Sequence, residues 1–188
     1  MSRERAEVVR QGVALRGRPR RPPDERLGVR FPGALTLLTR LVLRLRPRSR
    51  LRQALIRRAV KLGLDAANRS DFEAAFALYD SQVELITEPR VVGLGLERVY
   101  HGREERIRFQ QRWIEDWGDF QFDPKEVIDI GDGRVLVWGR ILGSGLSSGA
   151  GFASDWAVLL TTSSAGRVVR EEFFFDHAEA LEAVGLRT

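Results

Sequence analysis

The chain changes its hydrophobic period once. Before Gly118 apolar residues recur at helical spacing, and after it they alternate as in strands. In segment 34–46, Leu35, Leu38, Leu41, Val42 and Leu45 share one helical face, and Thr36, Arg40 and Arg44 the other. Pro47 and Ser49 end that segment. A helix is predicted over 50–68, with Leu51, Leu55, Ala59 and Leu62 on one stripe. Asp71 can cap a further helix over 71–79, with Glu73 in its first turn and Phe72, Phe76 and Tyr79 along it. A strand over Val83–Thr87 and a loop with Pro89, Gly93 and Gly95 follow. The next helix spans Arg103–Trp117: Phe109, Trp113 and Trp117 recur at i, i+4 and i+8, Ile107 and Ile114 flank them, and Gly118 is the stop.

From Phe120 to Phe175 the pattern predicts strands. Phe120–Phe122 with Glu126–Ile130 form the first, and Gly131-Asp-Gly133 turns into a second over Arg134–Leu142. Glycine-rich 143–151 reads as a flexible connection to a third strand, Phe152–Thr161. A turn at Ser163–Gly166 leads to a fourth over Arg167–Phe175. Asp176 with Glu179 forms a capping-box-like start to a last helix. Helices followed by a long meander argue an α+β domain. Its strongly curved mixed sheet must wrap around three N-terminal helices to bury the Trp-rich helix.

The order of these segments carries a resemblance. Ala66-Ala-Asn-Arg-Ser-Asp-Phe-Glu-Ala-Ala-Phe-Ala-Leu-Tyr-Asp80 precedes the first strand, and Tyr100-His-Gly-Arg-Glu-Glu-Arg-Ile107 opens the Trp-rich helix. Gly166-Arg-Val-Val-Arg-Glu-Glu-Phe-Phe-Phe-Asp176 then runs into His177 and the last helix. Over roughly residues 52–186 this resembles the SnoaL-like branch of the nuclear transport factor 2-like superfamily. The resemblance implies a cone-shaped fold with a ligand pocket at its open end. Members isomerise, dehydrate, hydrolyse epoxides or cyclise by aldol chemistry, and many have no known reaction, so fold implies a pocket and not a mechanism. It also implies a small apolar, oxygenated ligand, a homodimer, and neither metal nor organic cofactor.

Charge divides the chain. Residues 1–61 hold 18 Lys+Arg against 4 Asp+Glu, a balance of +14, and residues 62–188 hold 13 against 22, a balance of −9. Residues 1–49 are therefore read as a basic extension with a short amphipathic helix, and 50–188 as the domain. Arg- and Pro-rich Gly17–Arg30 is expected to be disordered or loosely tethered, and 1–13 to form a short helix. Segment 34–46 is too short to span a bilayer. It docks on the domain or a second subunit, or makes a weak contact with an anionic membrane surface. No specific nucleic-acid site is read from the arginines, because Arg makes up 29 of the 31 basic residues chain-wide. A cytoplasmic location is expected, since the Arg-rich region before segment 34–46 is too long for a signal peptide. Cysteine is absent, which excludes disulfides and thiolate chemistry, and His101 and His177 form no metal-ligand spacing.

Candidate chemistry is sparse. The resemblance allows one test, against the ketosteroid isomerase arrangement of two donors on an oxyanion and a carboxylate base. Its tyrosine position falls at Gly63, its base at Leu85 or Ile86, and its second donor near Trp156, so that activity is rejected. Glu171 shares the more apolar face of its strand with Val169, Phe173 and Phe175. There it needs an arginine partner or a raised pKa. Arg140, on the same strand face as Leu136, Trp138 and Leu142, is the expected partner. Arg140 and Glu171 together are the candidate catalytic pair, against a structural ion pair as the alternative. An arginine with carboxylates at the cone mouth is similar to epoxide-hydrolase-type members, although their Arg-x-Asp pattern is missing. The ligand-facing aromatics are Trp138 and Trp156, which core packing explains equally well, with Trp113 and Tyr79, two residues that core packing explains better.

Overall fold

The computed structural model describes residues 21–92, 97–117, 120–144 and 151–186. Helices α1 (Pro23–Arg30), α2 (Pro32–Arg44) and α3 (Arg50–Asn68) lead into a single turn, α4 (Phe72–Ala75). Strand β1 (Tyr79–Ile86), the short α5 (Pro89–Val92), β2 (Val99–His101) and α6 (Arg103–Trp117) follow. The chain closes with β3 (Gln121–Gly131), β4 (Arg134–Ser144), β5 (Gly151–Thr162), β6 (Val168–Phe174) and α7 (His177–Ala183). One six-stranded mixed sheet runs in the order β2-β1-β6-β5-β4-β3, with β1 parallel to β6 and every other pair antiparallel. The sheet is curved and unclosed, the α+β cone.

Alternation sorts the sheet into two faces. Val137, Ile141, Trp156, Val158 and Phe173 point into the concave side, with Ile56 and Leu55 of α3 packed over them. Leu136, Ala157 and Leu159 point to the convex side, where Ala180 and Val184 at the chain's end cover them. Strand β3 slips register between Pro124 and Glu126 opposite β4, an irregularity of the kind that bends a strand. Gly139 makes this possible, since a Cβ there would sit 2.3 Å from the Asp123 carbonyl. Asn68, last in α3, donates from Nδ2 to the Phe122 carbonyl (2.9 Å) and accepts the Phe122 N–H on Oδ1 (2.8 Å). A side-chain amide thus stands in for a strand partner and ties helix to sheet.

Several boundaries differ from expectation. The helix expected over 71–79 is one turn. Asp71 caps it by accepting the Ala74 N–H, and the chain leaves helical geometry at Phe76. Tyr79 is needed in β1, where it pairs with Val168 of β6. Strand β2 was too short to show a period, yet Tyr100 pairs with Leu85. Gly17–Arg30 departs most. Its residues 23–30 form helix α1, started by prolines and by Asp24 and Glu25 in the first turn. Ion pairs hold the helix, not apolar burial. The Arg21 guanidinium forks onto Asp71 (2.6 and 2.8 Å) and reaches Glu73, and Arg69 donates to the buried Glu25 (2.6 Å). Residues 1–13, Gly118 and most of 143–151 lie outside the described residues.

Arg52 fastens the helical layer to the sheet. It is buried, pairs with Asp129 of β3 (2.6 and 2.9 Å), and donates to the Leu43 and Leu45 carbonyls at the end of α2 (2.7 and 2.8 Å). Helix ends carry such carbonyls without internal partners, and a cation is the apt ligand for them.

Two predictions follow from these anchors. Arg21→Ala with Glu25→Ala should lower stability by about 1–2 kcal/mol, a melting shift of roughly 3–8 °C, since two partly buried carboxylate–arginine contacts are lost. Unchanged melting would show α1 to be only loosely attached. Burial would raise the Asp71 pKa, but the Arg21 fork and the Ala74 N–H outweigh it and hold it below its ordinary 3.8. The stabilisation from this contact is therefore present above about pH 4 and fades as pH falls below that, and the double variant should show a shallower acid-unfolding slope.

Candidate functional site

Helix α6 lies across the concave face. Tyr100 and Phe109 stack against Leu85, and Trp113 stacks on Phe175 and meets Phe120 edge-on. Between α6 and strands β3, β4 and β6 these rings leave a pocket. Phe109, Trp113, Phe120, Phe122, Phe173 and Phe175 form most of its wall, with Ile141 beside them and Thr87, Glu88 and Gln110 as its polar members. The cavity volume is only about 20 Å³. That is room for an ordered water. A larger guest must displace aromatic side chains.

One polar cluster underlies this aromatic wall. Arg106 of α6 forks onto Glu171 of β6 (2.6 and 3.0 Å), and each side chain is 3% exposed. The guanidinium lies 4.6 Å from the centre of the Phe76 ring and within 6 Å of those of Phe109 and Phe173. Burial disfavours its charge, but the Glu171 carboxylate more than compensates and raises the Arg106 pKa. Burial first, and the neighbouring Glu171 second, push the Tyr79 phenol well above its ordinary value. Tyr79 therefore stays protonated at neutral pH. From its remaining nitrogen Arg106 donates to Gln110 Oε1 (3.2 Å). An arginine only donates, so this contact fixes the carboxamide with its oxygen toward Arg106. The Gln110 amide nitrogen is the donor left for the pocket.

Glu88 is also occupied. Its carboxylate accepts the Phe175 N–H (2.6 Å) and pairs with Arg90. Thr87 donates its hydroxyl to the Glu97 carbonyl (2.7 Å). Neither is free to take a proton from a bound molecule without breaking a structural contact.

The expected catalytic pair is not assembled. Glu171 points inward, but Arg140 is on the convex face, half exposed, beside Asp155 across the β4–β5 ladder (4.0 Å). The physical reason is pleat. Arg140 alternates with the inward-facing Gly139 and Ile141, whereas Arg106, read only as part of a helix opening, projects from α6 onto the Glu171 carboxylate. Trp138 shares the convex side and stacks on His177 (4.2 Å), away from this pocket. Trp156 is inward and fully buried behind Phe122 (5.0 Å), where its indole nitrogen finds no partner among the described residues. Trp113 lines the pocket. Tyr79 is buried against Phe76 and Glu171, beneath the pocket and not in its wall. Gln110 was missed. Its only signal was position: one turn after Arg106, on the same helix face.

Glu171→Gln should destabilise the fold by about 3–5 kcal/mol, because it strands a buried guanidinium. Arg106→Met with Glu171→Leu should recover most of that loss. Urea unfolding of the two variants checks this, and a Glu171→Gln variant as stable as wild type would refute a structural role for the pair.

Known proteins match this architecture. The profile of the SnoaL-like domain family matches residues 60–171. Among solved structures, the chain is similar to a nuclear transport factor 2-like protein of unknown function from Burkholderia pseudomallei. That match has 23% identity and a TM-score of 0.57, covering 68% of this chain and 95% of that one. TerC co-crystallised with polyporic acid matches with the same four values. A second nuclear transport factor 2-like protein, from Burkholderia thailandensis, is 26% identical with a TM-score of 0.55, over 63% of this chain and 88% of that one. No curated protein matches. With its order of elements, its curved sheet and the family profile all in agreement, the chain belongs to the SnoaL-like domain family of the nuclear transport factor 2-like superfamily.

Proposed function

We propose that this domain binds a flat, largely apolar small molecule carrying a hydrogen-bond acceptor, in the pocket between α6 and the sheet. One observation carries the reading: an aromatic wall encloses a single oriented amide donor, Gln110, whose direction Arg106 sets. Apolar walls with few placed polar groups are the usual composition of small-molecule sites. A planar guest slides between rings at low cost, since offset aromatic stacking replaces the contacts that the rings lose by parting. A carbonyl or phenolate oxygen on such a guest would accept from the Gln110 nitrogen. TerC, of the same fold, was crystallised with polyporic acid, which supports a ligand-holding use of this cone.

Binding leads over turnover in this proposal. A cofactor-independent isomerase, cyclase or hydrolase needs a base within reach of the guest. Of the candidate acids, Glu171 is committed to Arg106, and Glu88 to Phe175 and Arg90. We assign Glu171 the task of positioning Arg106, and through it Gln110. Arg140 has no part in the site. Trp113 is the proposed ligand contact among the expected aromatics, and Trp156 and Tyr79 support the wall from behind.

The test is a melting-shift screen of planar aromatic ketones, quinones and phenols, followed by titration of Trp fluorescence for each stabilising compound. Gln110→Leu should weaken the best compounds about tenfold, equivalent to roughly 1.4 kcal/mol, while the fold stays intact. Equal affinity in that variant would remove Gln110 from the site. If no planar compound stabilised the wild-type chain, the reading would fall.

A further inference from the structure

Helix α2 is seated on the domain by an unexpected side. Val42 enters the concave core, and the Leu43 and Leu45 carbonyls are held by Arg52. The Thr36 carbonyl and Arg40 lie against Gly166 so closely that a Cβ there would approach to 2.5 and 2.7 Å. These contacts use one flank of the helix and leave its leucines outside. Leu37, Leu38 and Leu41 are 54, 51 and 50% exposed, on an arc of about 100° at 100° per residue. Leu27 and Phe31, just before α2, and Leu51, just after it, are also exposed. The two threonines of α2 satisfy their hydroxyls internally, Thr36 to the Pro32 carbonyl (2.8 Å) and Thr39 to the Leu35 carbonyl (3.0 Å). The helix therefore offers little polar surface beyond its arginines.

Those arginines are uncompensated. Between Arg26 and Leu64 the sequence contains no Asp or Glu. Arg44 borders the leucine arc, and Arg40 lies on the same side. Arg40, Arg44, Arg46, Arg48 and Arg50 are all exposed, and none has an ion-pair partner among the described residues. By contrast, Arg21, Arg52, Arg69 and Arg106 are all paired.

An exposed leucine arc rimmed by unpaired arginines has a matching surface: acyl chains beneath anionic headgroups. We infer that α2 and the arginines following it dock this domain on an anionic lipid surface, with the leucines inserted at the headgroup–acyl boundary. Nucleic acid would match the arginines and leave the leucines in water. No helix among the described residues is long and apolar enough to cross a membrane, so the contact lies in the plane of the surface.

The test is flotation of the full chain with vesicles of phosphatidylcholine alone or with about 30% phosphatidylglycerol. Wild type should bind the anionic vesicles at least tenfold more strongly, and lose most of that binding as salt rises from about 50 to 500 mM. Leu37→Ser with Leu41→Ser should lower binding about tenfold. Arg44→Gln with Arg48→Gln, which leaves the leucine packing untouched, should lower it several-fold, with circular dichroism confirming both folds. The inference is overturned if wild type does not float, if neutral vesicles bind it equally, or if the arginine variant binds unchanged. It is also overturned if sedimentation shows the leucine variant turning a dimer into monomers while wild type ignores vesicles, since the face would then belong to a second copy.

Discussion

The buried pair of Arg106 and Glu171 is the constraint around which the domain is arranged. Two charges have been taken out of water, and each is viable only because the other is fixed 3 Å or less away in a forked geometry. That requirement locks α6 to β6, and with it the aromatic rows that both elements carry. Phe76, Phe109 and Phe173 pack around the guanidinium, while Tyr79 remains a neutral phenol beside the carboxylate. The pocket is the space left on the far side of this arrangement. Its polarity is inherited, since Arg106 has already claimed the Gln110 oxygen and leaves the amide nitrogen as that side chain's donor.

Most of the fold was legible in the chain. The 50–68 and 103–117 helices stand where the period of 3.6 placed them, and the meander begins where that period gives way to two. What stayed illegible was decided by partners distant in sequence. The aromatic stripe Phe72, Phe76, Tyr79 looks helical in isolation, but pairing with Val168 draws Tyr79 into a strand. Helix α1 has too little apolar surface to signal docking, and charges on α3 and near α4 hold it instead.

The site was legible only in part. Glu171 was identified as an inward carboxylate needing an arginine, and that requirement is met. The partner was sought on the neighbouring sheet region, where alternation is easiest to read. Facing on a strand flips with every residue, so Arg140 went to the wrong side of the sheet along with Trp138. Arg106 sits in a run of charges, Arg103-Glu-Glu-Arg-Ile-Arg108, in which nothing in the pattern separates the one buried arginine from its solvated neighbours. Arginine does two jobs in this chain, internal clamp and exposed charge, and only three-dimensional neighbours distinguish them.

The parallel ladder between β1 and β6 has a bearing on how the chain reaches this state. Leu85 must find Glu171, and the intervening chain contains α6 and four strands of the sheet. A ribosome releasing this chain would expose β1 and β2 long before β6 emerges. The seam that joins β2 and β1 to the rest of the sheet is therefore the last to close, and the loop-closure entropy falls due late. During that interval the aromatic face of α6 and the open edge of β1 are available to other chains. Slow, concentration-sensitive refolding is the expected kinetic cost of pairing an early strand with the last one.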